Sequence, residues 1–378
     1  MKKIIAVNTR FLLKDKMEGI GYFTHETMRY IVTANTDYTF YFLFDRPYSK
    51  EFIYSNNVKP VVLFPPARHP FLFIWWFEWS VCNWMNSNRP DLFISPDGFG
   101  VLRSNVPQLL VMHDIAYEHY PTHNKFLQQK YYEFFMPRFA AKAKRIATVS
   151  QHSKNDLIQY YSVPEEKIDV VYSAVKEDFY PVNDKEKELT QNKYAQGFPY
   201  FVYTGSVNPR KNLQNMLKAY DLFRKKTGEP FRFVIAGAKG WKTSQIIDIW
   251  KQMEFKNEVL FTGRLPLDEL RKVVGSAFAL LYVSLYEGFG VPPLEAMACK
   301  VPAIISSTSS MPEICGEAAL QANPESPEEI SRQMLNLYVN PDLRGQLIEK
   351  GSEQFKKYSW QKTAQLLWNS CIKALELS

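Results

Sequence analysis

The ten residues Tyr286-Glu287-Gly288-Phe289-Gly290-Val291-Pro292-Pro293-Leu294-Glu295 place two carboxylates around Gly-Phe-Gly, directly after the apolar run Ala277 to Val283. Glycine reaches backbone angles closed to other residues, and Pro292 and Pro293 suit the first turn of a helix beginning near Leu294. A strand, a tight loop and a helix start in succession aim backbone N–H groups and the positive end of the helix dipole at one point, where phosphate is favoured. Glu287 at the strand end and Glu295 in the first helical turn would flank that point and accept hydrogen bonds from sugar or ribose hydroxyls. Either glutamate alone has an ordinary explanation, as a dipole partner or a loop cap. The pair around one glycine loop suggests a nucleotide sugar.

A second constellation, Gly205-Ser206-Val207-Asn208-Pro209-Arg210-Lys211-Asn212, follows the strand expected at Tyr200 to Thr204 and leads into a helix over Leu213 to Lys226, with Asn212 as its N-cap. Arg210 offers a planar fork and Lys211 a point charge, both suited to a diphosphate. An Arg-Lys pair is more often a solvated loop, but its position after a strand of the same domain as the glutamates favours a ligand. Earlier, His113 ends the buried strand Gln108 to His113, where its imidazole can meet a sugar hydroxyl while Asp114 or a backbone carbonyl sets the tautomer. Standing alone, such a histidine is usually structural. Glu18-Gly19-Ile20-Gly21-Tyr22 reads as a glycine turn between the first strand and the first helix. It lacks the GxGxxG spacing of a dinucleotide-binding dehydrogenase.

The elements that must carry these residues alternate. Strands are expected at Lys3 to Asn8, Thr39 to Phe44, Val61 to Phe64, Leu92 to Ile94, Gln108 to His113, Arg145 to Val149 and Ile168 to Tyr172. The pattern restarts at Tyr200 to Thr204, Phe231 to Ala236, Val259 to Thr262, Ala277 to Val283 and Ala303 to Ser306. Segments of helical period lie between, which predicts an α/β protein with parallel sheets wrapped by helices. The polar stretch Asn183 to Gly197 reads as the link between domains 1–183 and 198–359, with a closing helix over 360–378. In doubly wound sheets ligands bind at the carboxyl ends of the strands, so a ligand shared by both domains is expected in a cleft.

A chain of 378 residues is long enough for two or three domains. Its 46 Lys+Arg against 39 Asp+Glu leave +7, which suits phosphate ligands or an anionic membrane surface but not a dedicated nucleic-acid binder. Cys82, Cys299, Cys315 and Cys371 are scattered, without a CxxC pair or zinc spacing, as in a reducing, cytoplasmic compartment. The start Met-Lys-Lys-Ile-Ile-Ala-Val-Asn reads as a strand rather than a signal peptide. The aromatic stretch Pro70 to Met85 is too short to span a bilayer. Its readings are core packing of a first-domain helix, an acceptor pocket, or contact with a membrane interface.

Taken together, Glu287 to Glu295, Arg210-Lys211, His113-Asp114, Gly19-Ile20-Gly21 and Ser359-Trp360, with Val149-Ser150-Gln151-His152-Ser153-Lys154 and Ser309-Ser310-Met311-Pro312-Glu313, resemble the retaining glycosyltransferases of family 4 over nearly the whole chain. The resemblance implies the GT-B fold, two doubly wound Rossmann-like domains facing each other across a cleft. It implies that Glu295 holds the donor ribose and that Arg210 and Lys211 neutralise the diphosphate. Glu287, with the amides of Phe289, Gly290 and Val291, would bind the transferred sugar and phosphates. His113 would touch the donor sugar from the other domain, Gly19 would lie against the diphosphate and acceptor, Gly205 would border the donor, and the backbone at Arg264 and Leu265 would frame the base. The family is metal-independent, consistent with the lack of an Asp-x-Asp motif, and needs no cofactor beyond the nucleotide diphosphate sugar.

The expected reaction is hexosyl transfer, with retention, to a glycan or lipid-linked acceptor in cell-surface polysaccharide synthesis, in the cytoplasm or at the inner face of the membrane. The alternatives are a nucleotide-sugar epimerase or phosphorylase of the same fold and a non-catalytic nucleotide-sugar binder. The chain departs from its relatives at Tyr172-Ser173-Ala174, where Pro-Asn-Gly is common, and at Lys300, where glycine is.

Overall fold

Ile-Ile-Ala-Val-Asn of β1 (Ile4–Asn8) is buried at four of its five positions, the mark of a strand covered on both faces rather than one. The same continuous burial recurs in most strands of the computed structural model, which describes residues 2–14, 16–67, 69–238, 240 and 244–377. The chain divides into two units, Met1–Ser173 with Ser359–Ser378, and Ala174–Tyr358.

The first unit adds β2 (Thr39–Phe44), β3 (Val58–Val62), β4 (Leu92–Ser95), β5 (Gln108–Val111), β6 (Arg145–Thr148) and β7 (Ile168–Val170). They form a seven-stranded sheet ordered β3-β2-β1-β4-β5-β6-β7, with every pairing parallel. In the second unit β8 (Tyr200–Thr204), β9 (Arg232–Ala236), β10 (Val259–Gly263), β11 (Ala279–Tyr282), β12 (Ala303–Ser306) and β13 (Leu320–Ala322) make a parallel six-stranded sheet ordered β10-β9-β8-β11-β12-β13. Each order reverses once, between β1 and β4 and between β8 and β11. The expected pair of doubly wound sheets is present, and these reversals are the points at which such sheets open a crevice for ligands.

Several expectations need correction. The third strand runs Val58–Val62, not Val61 to Phe64; Pro60 is tolerated inside it because β3 is an edge strand. β13 is a further edge strand that Leu-Gln-Ala, without a β-branched residue, did not announce. The polar stretch at 183–197 is not a linker. It forms the Asp184–Ala195 helix, opened by a capping box between Asn183 and Glu186. Glu186 pairs with Arg271 at 2.8 Å and Lys193 with Glu269 at 2.6 Å, which fastens this helix to the second unit. The division therefore falls ten residues earlier, after Ser173.

The Trp360–Glu376 helix buries Trp360, Thr363, Ala364, Leu367, Cys371 and Ala374, one stripe at helical spacing. It packs on the Gly19–Ala34 helix of the first unit. Thr363 Oγ1 donates to the Tyr172 carbonyl at 2.8 Å, and Asp169 takes Ser370 at 2.8 Å and Lys373 at 2.7 Å.

The aromatic stretch is a helix interrupted by a wider turn: Pro70–Trp75, then a π-helical turn Trp76–Val81, then Cys82–Asn88. Trp76, Phe77, Val81 and Met85 enter the core, whereas Phe71, Leu72, Trp75 and Trp79 stay exposed. Among the described residues no helix is long and apolar enough to cross a membrane.

Candidate active site

The loops after β8 and β11 leave neighbouring strands at the reversal of the second sheet, so Arg210, Lys211 and Glu287 arrive at one place. Lys211 Nζ lies 2.7 Å and 2.9 Å from the two carboxylate oxygens of Glu287 and 2.9 Å from the Tyr282 hydroxyl. Arg210 Nη1 donates to Glu287 Oε2 at 3.3 Å and to the Tyr286 carbonyl at 2.8 Å. The Leu285 amide returns a bond to the Arg210 carbonyl at 3.0 Å, tying loop to loop. Burial would push the Glu287 carboxyl up, but Lys211 and Arg210 outweigh it and hold the group below the ordinary carboxylate range. Two cations converging on this point suit an anionic ligand.

The Val291–Ala298 helix begins three residues before the expected Leu294, with Gly290 as its N-cap and therefore no capping side chain. Glu295 therefore sits in the second turn, not the first, and a dipole-partner role explains it poorly. Pro292 and Pro293 carry no N–H, so the donors at this helix end come from Gly290 and Val291. Gly290 has φ +85, the left-handed region that favours glycine, and a Cβ there would come within 2.1 Å of Met311 Cε, so the methionine tip would have to move. Ser310 Oγ donates to the carbonyls of Glu287 at 2.9 Å and Phe289 at 3.1 Å, and Ser309 Oγ accepts from the Glu287 amide at 3.2 Å. These serines were visible in the sequence only as part of a resemblance; their work as a brace for the loop needed coordinates.

Glu295 is only 6% exposed, and its carboxyl accepts no hydrogen bond from any described residue. Burial pushes it up to about 7, against the pull of the Lys176 charge. A buried carboxyl without a donor is costly unless a ligand supplies hydroxyls to it.

Gly205, with φ +133, follows β8, and a Cβ on Gly237 would fall 1.8 Å from the Gly205 carbonyl oxygen. The two strand ends meet backbone to backbone. Asn212 occupies the position before the Leu213–Thr227 helix, but in a left-handed conformation and without capping it. Its side-chain amide instead donates to the carbonyls of Val283 at 2.9 Å and Pro324 at 2.7 Å, which clamps the β8 loop to the β11 loop. Arg264 and Leu265 follow the Gly263 turn at the end of β10, two strands along the same sheet edge, roughly 10 Å from β8 at ordinary strand spacing.

In the first unit, His113 Nε2 lies 2.8 Å from the Pro96 carbonyl, and the ring meets Phe23 edge-on at 4.9 Å. Burial lowers the imidazole below its usual value, with the Pro96 carbonyl and the carboxylates of Asp114 and Asp97 opposing. The neutral ring then donates through Nε2–H and keeps a lone pair on Nδ1. Gly19 is not in a turn: it is the first residue of the Gly19–Ala34 helix, exposed, with nothing within 4 Å of a Cβ placed on it. Gly21 is the glycine that packing demands, since its Cβ would meet the Phe11 carbonyl at 2.6 Å.

The sequence reading passed over a pair at the reversal of the first sheet. Arg10 follows β1, Asp97 follows β4, and Arg10 Nε meets Asp97 Oδ2 at 2.5 Å, both side chains being buried. The guanidinium sits 4.5 to 5.2 Å from the rings of Phe99, Phe11, Phe73 and Phe77.

Comparison with known proteins agrees with this architecture. Residues 184–354 match the family described as Glycosyl transferases group 1, and residues 17–179 match Glycosyltransferase Family 4. The chain belongs to these glycosyltransferases, and its fold is GT-B. It is 30% identical to O-antigen chain mannosyltransferase B of Escherichia coli over 66% of this chain and 66% of that protein. It is 28% identical to O-antigen chain mannosyltransferase RfbU of Salmonella typhimurium, covering 69% and 68% of the two chains. The chain thus spans about two thirds of the length of these relatives. Among solved structures, sucrose-phosphate synthase from Thermosynechococcus elongatus superposes with TM-score 0.79 at 15% identity, covering 100% of both chains.

Proposed function

We propose that this protein transfers a hexosyl unit from a nucleoside-diphosphate sugar to a hydroxyl of a growing surface polysaccharide or its lipid-linked precursor, with retention of configuration and without a metal ion. The observation that carries this reading is the Arg210–Lys211–Glu287 cluster at the end of the Val291–Ala298 helix, with the undonated carboxyl of Glu295 on the same helix. The names of the two relatives favour mannose as the hexose.

In this reading Glu295 receives the two ribose hydroxyls. Arg210, Lys211 and the amides of Gly290 and Val291 take the diphosphate and hold its charge as the bond from the anomeric carbon to the phosphate oxygen breaks. The acceptor oxygen bonds to that carbon on the same face, and its proton passes to the departing phosphate oxygen. Glu287 orients the two cations and the sugar, His113 binds the sugar through its Nδ1 lone pair, and Gly19 leaves backbone open beside the acceptor. Positioning and charge stabilisation do the chemistry, with no protein nucleophile and no cofactor. Four free, buried cysteines suit a cytoplasmic location.

The test is to offer guanosine- and uridine-diphosphate forms of mannose, glucose and galactose with an oligosaccharide acceptor, and to follow nucleoside diphosphate release and the anomeric configuration of the product. Retention in a new glycoside is expected. Inversion, an epimerised nucleotide sugar, a sugar phosphate, or binding without turnover would each replace the proposal with one of its rivals.

A further inference from the structure

Trp75 and Trp79 lie one turn apart and stack at 5.7 Å between ring centres, yet Trp75 is 56% and Trp79 43% exposed. Phe71, one turn earlier, is 66% exposed. The π-helical turn explains the arrangement: Trp76, Phe77 and Val81 go inward, while the residues on the other side of the same helix stay in water. The neighbouring Phe126–Lys142 helix, joined to this one through Phe73 and Tyr131 at 5.9 Å, behaves alike. Phe126, Lys130, Phe134 and Arg138 follow at four-residue spacing on one face of it, and all are exposed. A soluble surface rarely leaves this many large aromatic side chains in solvent without use.

The charges around these rings have one dominant sign. Arg103 lies over the Trp79 ring at 5.3 Å and Arg138 over Phe134 at 3.7 Å, so each cation covers a ring and keeps its head in water. Lys125 and Lys142 flank the second helix and are exposed. Of the acidic residues on the two helices, Glu78 is buried and accepts the amides of Leu102 at 2.7 Å and Arg103 at 3.0 Å. Glu133 is paired with Lys130 at 2.6 Å. Exposed rings interleaved with exposed cations call for a partner surface that is apolar and anionic at once. Indole and phenyl rings beside Arg and Lys match the headgroup layer of an anionic bilayer, where aromatic rings enter the acyl boundary and cations meet phosphate.

We infer that the surface formed by the Pro70–Val81 segment and the Phe126–Lys142 helix docks the protein on anionic lipid, with Trp75 and Trp79 inserted at the interface. Docking is an interfacial contact, independent of the sugar chemistry of the other unit. Trp76 has no part in it, being wholly buried.

The full chain is sedimented with vesicles of equimolar phosphatidylglycerol and phosphatidylcholine, and with pure phosphatidylcholine, at low and high salt. Wild type should bind the anionic vesicles, release partly in high salt, and bind the neutral ones weakly. Trp75→Gln/Trp79→Gln should lower the partition coefficient on the order of tenfold or more. Both positions are exposed, so the melting temperature should not move. A second variant, Phe126→Gln/Phe134→Gln, guards against a local effect and should weaken binding in the same direction. Equal sedimentation of wild type and both variants, or no binding to either vesicle, overturns the inference. So does a wild-type dimer in analytical ultracentrifugation that Trp75→Gln/Trp79→Gln turns into a monomer without changing vesicle binding, since the face would then join two copies of the chain.

Discussion

Lys211 and Glu287 form a two-point contact, 2.7 Å and 2.9 Å from one ammonium to both carboxylate oxygens, with Glu287 buried and Lys211 largely covered, in the loops that follow adjacent strands. The same lysine helps hold a buried carboxylate in its ionised form, and in the proposed reaction it would also supply positive charge to the leaving diphosphate.

Lys211→Met should therefore fail twice. Leaving Glu287 with Arg210 alone should cost about 3 to 5 kcal/mol of stability in urea unfolding, as for other broken buried pairs. Turnover of the cognate donor should drop about a hundredfold, the loss of one charge-stabilising group. Lys211→Met/Glu287→Gln should recover much of the stability and none of the turnover. Full turnover by Lys211→Met and by Arg210→Ala would remove both residues from the chemistry.

Glu295 predicts a pH dependence. Its folded value, raised to about 7 by burial, lies above that of an exposed glutamate, so below about pH 7 the empty site holds a proton. Raising the pH through that range ionises the group inside the fold at a cost in stability, and ligand hydroxyls that prefer the carboxylate repay it. Nucleotide affinity measured by calorimetry should therefore rise with pH by up to about tenfold per unit below about pH 7, with proton release on binding, and level off above. Glu295→Gln should bind weakly with a flat profile. An equal slope in wild type and Glu295→Gln would assign the titration to another group.

Gly290→Ala should be poorly tolerated, because the new methyl would meet Met311 Cε at 2.1 Å and the backbone would keep φ +85. A loss of about 2 to 4 kcal/mol is expected from the clash and the left-handed strain together. Gly290→Ala/Met311→Ala would relieve the clash but not the strain, and should still melt below Met311→Ala alone.

Lys300 has φ +58 after the Val291–Ala298 helix, a left-handed conformation that favours glycine. Lys300→Gly should raise stability by up to about 1 kcal/mol, since removal of left-handed strain exceeds the added freedom of the unfolded chain. A lower melting temperature would mean that the lysine side chain makes a contact worth more than the strain.

Much of this was legible in the residues themselves. Strands such as Tyr200–Thr204 and Ala279–Tyr282 lie in runs rich in apolar and aromatic residues, and their ends locate the loops that carry Arg210 and Glu287. What escaped the sequence depended on partners distant along the chain. The polar face of the 184–195 helix resembles a linker until Arg271 and Glu269 are seen to meet it. Asn212 looks like a cap until Val283 and Pro324 are placed beside its amide. Arg10 and Asp97, separated by 87 positions, become a pair only when β1 and β4 lie side by side. The aromatic stretch was ambiguous because its two faces do different things, and composition averages over both.

The Trp360–Glu376 helix has a consequence for how the protein comes to be. It is fastened to Tyr172 and Asp169, yet the whole of the second unit separates it from them along the chain. On the ribosome the second unit can assemble as soon as it emerges, whereas the sheet translated before it must wait for the Trp360–Glu376 helix before its surface is covered. Translation order and completion order are reversed, and a nascent chain stalled short of Trp360 would carry an unfinished amino-terminal unit beside a finished neighbour.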